Sequence, residues 1–589
     1  MKNIFYISLV FLTLISCSEL EQEPVSTVGT EAVFNTESGL KLYSNSFYSN
    51  LPSTTSIIRG DNMSDIIARK DVPDFFRAGA FGPKQSSGWT WSALRNINYF
   101  LENNTSDQVS EETRKHYNGL AKFFRACFYF EKVKRFGDVP WVSKTIGVND
   151  EDILYASRDS RTVVMDSVMK DLDYAIANIK TTNDDSRSLI TKYVAAAFKS
   201  RVALFEGTFR KYHTEYNLTN TADALLRESA DAAKLVMDNG GFSLYASGTK
   251  PYYDVFASTT VVKSEVILAN LYSLDLGVLH DANWYYTSAT YGDRLSLTRR
   301  FVNTYLNLNG TTFTSNANYK TTGFSAEMNQ RDKRLSQTIR TPGYTRVTGG
   351  ATILTPPVFS YTYTGYQPVK WVLADGFYDS GNNNNNVIPI IRYAEVLLNY
   401  AEAKAELQEL TNEDWSKTVG ALRQRAGITA GLSTLPTIVD TYLQTEFFPN
   451  ISNPVLLEVR RERGIELALE GFRFYDLVRW AKGDLVAKPW NGIYVPALNT
   501  PIDLNTDGVN DVVFYQGNQP GSLPGVTYVN VSATVNGKEN PMKLSNGTSG
   551  EIIWLQNTPI SWEDKFYLYP IPESDRLMNP NLGQNPGWQ

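Results

Sequence analysis

Residues 456–480 read LLEVRRERGIELALEGFRFYDLVRW, and this stretch decides the fold. Ile465, Ala468, Leu469 and Phe472 fall at i, i+3, i+4 and i+7, the spacing of one apolar helical face. Glu458, Glu462, Glu466 and Glu470 recur every four residues, a stripe that would repel itself if left alone. Arg460, Arg461, Arg463, Arg473 and Arg479 lie close enough in sequence to neutralise it. Gly471 interrupts the run, which predicts a bend between two helices, with Phe474, Leu477 and Val478 facing inward on the second. Charge arranged this densely predicts a structural clamp between neighbouring helices; interleaved Glu and Arg form ion-pair networks far more often than catalytic centres.

Working outward, helical spacing recurs in pairs. Residues 121–137 read AKFFRACFYFEKVKRFG, inside a helix predicted over 111–136 and stopped at Gly137, with Pro140 beyond. Its mate over 157–180 carries Val164, Val168, Leu172, Ala175, Ile176 and Ile179 on one face. Residues 191–209 and 221–239 form a second pair, 388–407 and 415–426 a third, and 454–480 the fourth. Stacked helical hairpins bury a core in the manner of tetratricopeptide arrays, although no such consensus is legible here. Residues 31–51 also read as helical. By contrast, 241–386 is loop-rich in Thr, Tyr, Asn and Gly, and GNNNNN at 381–386 predicts a mobile, low-complexity segment. Irregular stretches of that length are usually functional or disordered. Residues 484–560 are similarly irregular. The proline-rich end, KFYLYPIPESDRLMNPNLGQNPGWQ at 565–589, predicts an extended run across the surface.

At 589 residues the chain can bury a large core. Its formal net charge of −6 argues against nucleic acid as a partner, which needs a basic footprint. Tyr (34) outnumbers Phe (29), with 11 Trp, and rings with polar tips suit wet binding surfaces as well as the rim of a core. Lys2 and the apolar stretch 4–15, too short to span a bilayer, precede Leu14-Ile15-Ser16-Cys17. That pattern predicts a lipoprotein signal peptide over 1–16, with Cys17 as the lipidated N-terminus and 17–30 as a polar tether. Cys127 is then alone, so no internal disulfide forms, and its helical apolar surroundings predict a core position.

The 456–480 run, the 565–589 end, the aromatic helix followed by GDVP (137–140) and the acidic SELEQE (18–23) together resemble the SusD/RagB family of outer-membrane lipoproteins, over nearly the whole chain. The resemblance implies a mainly α SusD-like fold with four TPR-like helix pairs and a loop-rich, ligand-facing half. It divides the chain into an N-terminal region over 31–240 and a C-terminal SusD/RagB region over 241–589. It also implies capture of an oligosaccharide or polysaccharide at the cell surface, a SusC-like TonB-dependent transporter as partner, and a lipid-anchored place on the outer membrane. The acidic patch is implied to route the lipoprotein to the surface.

A sugar offers an apolar C–H face and a rim of hydroxyls, so an aromatic plate beside Asp, Asn or Arg can hold it. The candidates are Trp89 and Trp91, which follow the loop PKQSSG (83–88); Trp284, Tyr285, Tyr291 and Arg294 in HDANWYYTSATYGDR (280–294); and Asp61 and Asn62 in RGDNMSD (59–65), whose analogue in the family lies near the glycan face. Core packing is the alternative for each ring, and Trp371 reads as structural. Asp503, Asn505, Asp507 and Asp511 with Gly508 match the first part of an EF-hand-like loop, but position 12 is Phe514. That leaves a structural calcium site or a solvated Asx-rich turn; no other cofactor is implied. Catalysis has little support: the three His are scattered and no metalloprotease, nucleophile-elbow or P-loop pattern is present. A glycosidase needs only two placed carboxylates, so a surface glycosidase stays as one rival. A structural transporter lid or a peptide-binding lipoprotein is the other.

Overall fold

The computed structural model describes residues 30–588; the signal peptide, most of the tether and Cys17 lie outside them. The chain is mainly helical, with 43% helix and 11% strand. Among the described residues no helix is long and apolar enough to cross a membrane.

The predicted hairpins are present. Helix α1 (Glu111–Phe136) starts at Ser110, whose hydroxyl accepts the Thr113 N–H at 3.2 Å. Acidic residues fill its first turn and basic ones its last, both favourable to the helix dipole. Gly137 ends it at φ 73°, and a Cβ there would sit 2.7 Å from Leu568, so glycine is required on two counts. Helices α2 (Arg161–Asn178), α3 (Lys192–Tyr212) and α4 (Ala222–Asn239) follow. Gly207, with no side chain, lets α3 approach Leu226 of α4 closely. Between them and the later helices lies the short α5 (Ala282–Thr287). Helix α6 (Tyr393–Glu406) pairs with a broken partner, Asn412–Trp415 and Ala421–Arg425 joined by a π-turn at Ser416–Gly420. Helix α7 (Pro454–Glu466) bends into α8 (Arg473–Arg479). The order of packing is α1 on α2, α2 on α3, α3 on α4, α4 on α6 and α6 on α7.

Helix α7 is not one-sided: every residue from Leu456 to Glu466 is buried. Its acidic stripe is neutralised, but mostly not by its own arginines, which corrects the sequence expectation. Glu462 meets Arg334 (2.5 Å) and Arg423 (2.9 Å). Glu466 meets Arg392 (2.6 Å), Arg334 (2.9 Å) and Arg425. Glu470 meets Lys370 (2.6 Å) and Arg392 (2.7 Å). Only Glu458 is held within the stretch, by Arg461 at 3.0 Å. Of the stretch's other arginines, Arg460 reaches outward to Glu406, Arg473 to Asp65 and Arg479 to Glu402, while Arg463 and Arg479 also pair with Asp476 inside the stretch. The reason is geometric. The glutamates share one face, the arginines occupy others, and a buried helix offers each face to a different neighbour.

The bend is real. Leu469 (φ 65°) and Gly471 (φ 82°) are left-handed, and a Cβ on Gly60 would lie 2.4 Å from the Gly471 Cα. This backbone approach pins the 59–65 loop onto the bend. Trp371, fully buried as expected, donates its indole N–H to the Leu469 carbonyl at 2.8 Å. Phe474, Leu477 and Val478 face inward.

Other expectations are corrected. Residues 388–392 are a strand, Ile388–Arg392, antiparallel to Val266–Asn270, because this β-branched run pairs before α6 begins. The first helical stretch breaks between Thr30–Phe34 and Glu37–Asn45. The asparagine run is docked: Asn384 and Asn386 are fully buried, and Asn386 donates to the Phe256 carbonyl at 2.8 Å. The tail contains the helical turns Asp564–Tyr567 and Glu573–Met578 and buries Trp588. Asn585 ties it to α1 through the Phe136 carbonyl at 2.9 Å. Cys127 is half-buried, lining a cleft of about 360 Å³ between α1, α3 and the α7–α8 bend. Burial pushes its thiol well up.

Candidate functional site

Helix α5 is held from behind by amides. Asn283 accepts the Leu373 N–H (2.7 Å) and donates to the Leu373 carbonyl (2.8 Å), while Asn384 donates to Asn283 (2.7 Å). Tyr286 donates to the Ile58 carbonyl at 2.5 Å, joining α5 to the 59–65 loop. Residues 288–294 fold back over α5. Gly292, at φ 77°, permits this, since a Cβ would meet the Tyr285 carbonyl oxygen at 2.4 Å.

The result is a patch where two parallel aromatic pairs flank a charged rim. Trp284 and Tyr291, both half-buried, stack with centroids 3.7 Å apart and planes 15° apart. Tyr363, itself buried, and the half-buried Trp554 stack at 3.9 Å and 15°. Arg294 lies between them, its guanidinium 5.5 Å from the Tyr363 ring and its Nε donating to the Ala289 carbonyl at 3.0 Å. Its φ of 50° is a left-handed conformation that a non-glycine residue holds only under constraint. Arg59 pairs with Asp281 and donates to the Tyr291 hydroxyl at 3.1 Å; that hydroxyl donates to Asp281 at 2.6 Å. Arg69 pairs with Asp293 at 2.7 Å, and the Trp554 indole N–H donates to the Arg69 carbonyl at 2.7 Å. Asn62 and the Tyr285 hydroxyl exchange hydrogen bonds of 3.0 and 3.2 Å, and both reach Asp293. Tyr285 itself is buried, which pushes its phenol up.

Of the sequence candidates, the patch thus gathers Asn62, Trp284, Tyr285, Tyr291 and Arg294, with Tyr285 contributing its hydroxyl and not a ring face. Asp61 is corrected. It is 2% exposed, and its two oxygens accept the Leu469 (2.7 Å) and Arg473 (3.1 Å) N–H groups, so it secures the bend. Burial pushes its carboxyl up to about 7 against those two bonds. Trp89 is corrected as an open platform: it is buried, edge-on to Trp91 (5.4 Å) and Phe136 (5.0 Å). Trp91 is half-buried on Phe128. Both line a separate cleft of about 550 Å³ whose rim includes Tyr155 and Met578. The 503–511 loop, the calcium candidate, bonds its carboxylates to its own backbone. Asp503 accepts N–H groups from Asn505, Thr506 and Gly508, Asp507 accepts from Val509, and Asp511 accepts from Leu504. The loop is a set of Asx turns satisfying its own backbone. Among the described residues no group of three or more His, Cys, Asp or Glu converges on a metal position.

The sequence reading missed Arg59, Arg69, Asp281, Asp293, Tyr363 and Trp554. The first four lie inside or beside the quoted stretches, where charge next to Tyr was a usable signal. Nothing local marks Tyr363 or Trp554.

A family model described as "SusD family" matches residues 264–588, and one described as "Starch-binding associating with outer membrane" matches 85–204. The chain is 26% identical to a SusD-like protein of Formosa agariphila over 82% of this chain and 91% of that protein. It is 22% identical to a SusD-like protein of Bacteroides ovatus over 99% and 98%. Among solved structures, a SusD-like carbohydrate-binding protein of Bacteroides fragilis superposes with TM-score 0.67 at 20% identity, covering 94% of this chain and all of the other. Another SusD-like protein of that organism gives 0.66 at 22% identity, covering 96% of this chain and all of the other.

Proposed function

The chain belongs to the SusD family, and from that premise we propose that it is a cell-surface lipoprotein that binds glycan and delivers it to a SusC-like TonB-dependent transporter. The observation that carries the reading is the pair of parallel aromatic stacks beside Arg59, Asn62, Asp293 and Arg294. The accessible faces of Trp284, Tyr291 and Trp554 meet the C–H face of a sugar, and the fixed amide, guanidinium and carboxylate groups meet its hydroxyls. A network already satisfied within the protein binds at little ordering cost. Asp281 and Asp293 are each engaged by an arginine; this suits a hydroxyl-binding rim, and the reading is of binding without cleavage. Support for the outer membrane comes from the description of the family matched over 85–204 and from the lipoprotein pattern ending at Cys17.

Calorimetric titration against a panel of polysaccharides tests the glycan claim. At least one member is expected to bind, and to be recovered at its original chain length. A panel without any binder sinks the reading. For the anchor, Cys17→Ala is expected to move the protein from the membrane fraction to the soluble fraction; retention in the membrane would refute lipidation there. Co-purification with a TonB-dependent transporter from the native membrane tests the partner.

A further inference from the structure

A second cleft, of about 560 Å³, lies away from the aromatic patch and shares no residue with it. Strand Gly550–Trp554 separates the two: Glu551 and Trp554, three apart, alternate to opposite faces. In the cleft floor Arg299 and Arg300 are matched, the first by Glu551 (3.3 Å) and Glu327 (3.6 Å), the second by Asp65 (3.1 Å). At the mouth the situation differs. Lys320 is exposed and Lys488 half-exposed, and neither enters an ion pair among the described residues.

Two acceptors in the same cleft also lack donors. Asn491 donates to Glu551 at 2.7 Å, which fixes which end of its amide is the oxygen, and that oxygen is buried without a partner. The Asn303 amide oxygen is likewise buried and unpartnered, in a residue only 5% exposed. Both oxygens are sealed from solvent, so they belong to the floor of the cleft and not to its ligand-facing surface. Tyr319, Tyr442 and Tyr494 complete the wall.

We propose that this cleft is a second ligand site for an acidic saccharide unit, a hydroxylated ring carrying a carboxylate or a sulfate ester. The unpaired ammonium groups of Lys320 and Lys488 meet the negative charge, and the phenol rings meet C–H faces. The volume is that of a small-ligand site. Glu446, also in the lining, opposes the charge of such a ligand and so tunes the site. The class of molecule rests on the glycan reading above; the residues do not.

The test uses the full-length protein in calorimetric titrations with an oligogalacturonate (carboxylate arm), a sulfated galactan oligosaccharide (sulfate-ester arm), a neutral oligosaccharide of equal length and inorganic sulfate. At least one acidic oligosaccharide is expected to bind more weakly as salt rises. Lys320→Ala with Lys488→Ala is expected to lower that affinity about tenfold and to leave any neutral ligand unchanged. Glu446→Gln is expected to raise affinity for the acidic ligand. Trp284→Ala, on the other patch, is expected to preserve the part of acidic binding that the two lysines control. Acetylation of Lys320 and Lys488, read by mass spectrometry, is expected to be blocked by the acidic oligosaccharide. If no acidic oligosaccharide binds, or if the double lysine variant binds it as wild type does, the inference falls. If only inorganic sulfate binds, or acetylation is unprotected, it falls as well. In all these cases neutral glycan binding at the Trp284 patch can still stand. Acidic binding in a protein that binds no neutral glycan and is unaffected by Trp284→Ala overturns the assignment of the aromatic patch alone.

Discussion

Single residues carry two separable duties. Arg392 is fully buried between Glu265, Glu466 and Glu470. Removing one partner from a buried ion network strands charge, at a cost of about 3–5 kcal/mol. Arg392→Met is expected to lower the unfolding free energy from urea denaturation by that amount, and a loss below about 1 kcal/mol would deny the network its structural role. Trp284 is half-buried and is not part of the hydrophobic core. Trp284→Ala is expected to weaken glycan binding about tenfold, or ~1.4 kcal/mol, with the melting temperature nearly unchanged. Intact binding in that variant would remove the ring from the site. The glutamate stripe was legible in sequence because charges every four residues announce themselves. Their partners were not, because Arg334, Arg392 and Arg425 lie tens of residues away and meet the stripe only in three dimensions.

At the scale of elements, α5 depends on a scaffold outside itself. Six residues are too few for a stable helix alone, so its orientation comes from Asn283 and the docked asparagine run. Asn283→Ala removes bonds to Leu373 on both of its backbone groups and to Asn384. The expected result is faster amide exchange across 282–287 and weaker glycan binding, with exchange in α7 unaltered. Unchanged exchange in α5 would mean that it holds itself. The run at 381–386 looked mobile because repeated Asn carries no apolar periodicity. Its amides instead satisfy buried backbone groups, a use that composition cannot distinguish from solvation. Gly60 shows a similar dependence between elements: Gly60→Ala would drive a Cβ to within 2.4 Å of Gly471. It is expected to destabilise the fold by about 1–3 kcal/mol, and neutral stability would show that the loop and bend can part.

Across the whole molecule, the buried charges set opposing limbs of the pH–stability curve. Burial pushes the Glu402 carboxyl up, but Arg479 and the other arginines around it prevail and hold it down at about 2. Glu466 is likewise held well below its ordinary value by Arg425, Arg392 and Arg334 in spite of burial. Their stabilisation is present above 4.5 and is lost as pH falls toward 2. Asp61 has the opposite sign. Its folded value is raised, so its contribution is full below 3.8 and is lost as pH rises through about 7. Burial lowers the His280 imidazole to about 4, so its contribution grows as pH rises from 4 to 6.5 and opposes that of Asp61. Urea denaturation across pH 2–8 is expected to show a steep acid limb and a nearly level stretch toward neutrality, and Asp61→Asn is expected to make that stretch rise. A shallow acid limb would contradict the network, and an Asp61→Asn variant with the wild-type slope between pH 4 and 7 would contradict Asp61.

The sequence by itself determined the helical hairpins, the bend at Gly471 and the aromatic stretch that becomes α5, because each is written in short-range spacing and side-chain size. Tertiary structure alone decided which charges meet and which rings stay open. It took Asp61 and Trp89 inside, brought Tyr363 and Trp554 beside Arg294, and turned the Asp503–Asp511 loop onto its own backbone. Exposure and ion pairing are properties of a packed surface, fixed by what distant segments bring to the same place, and no local window of sequence contains that information.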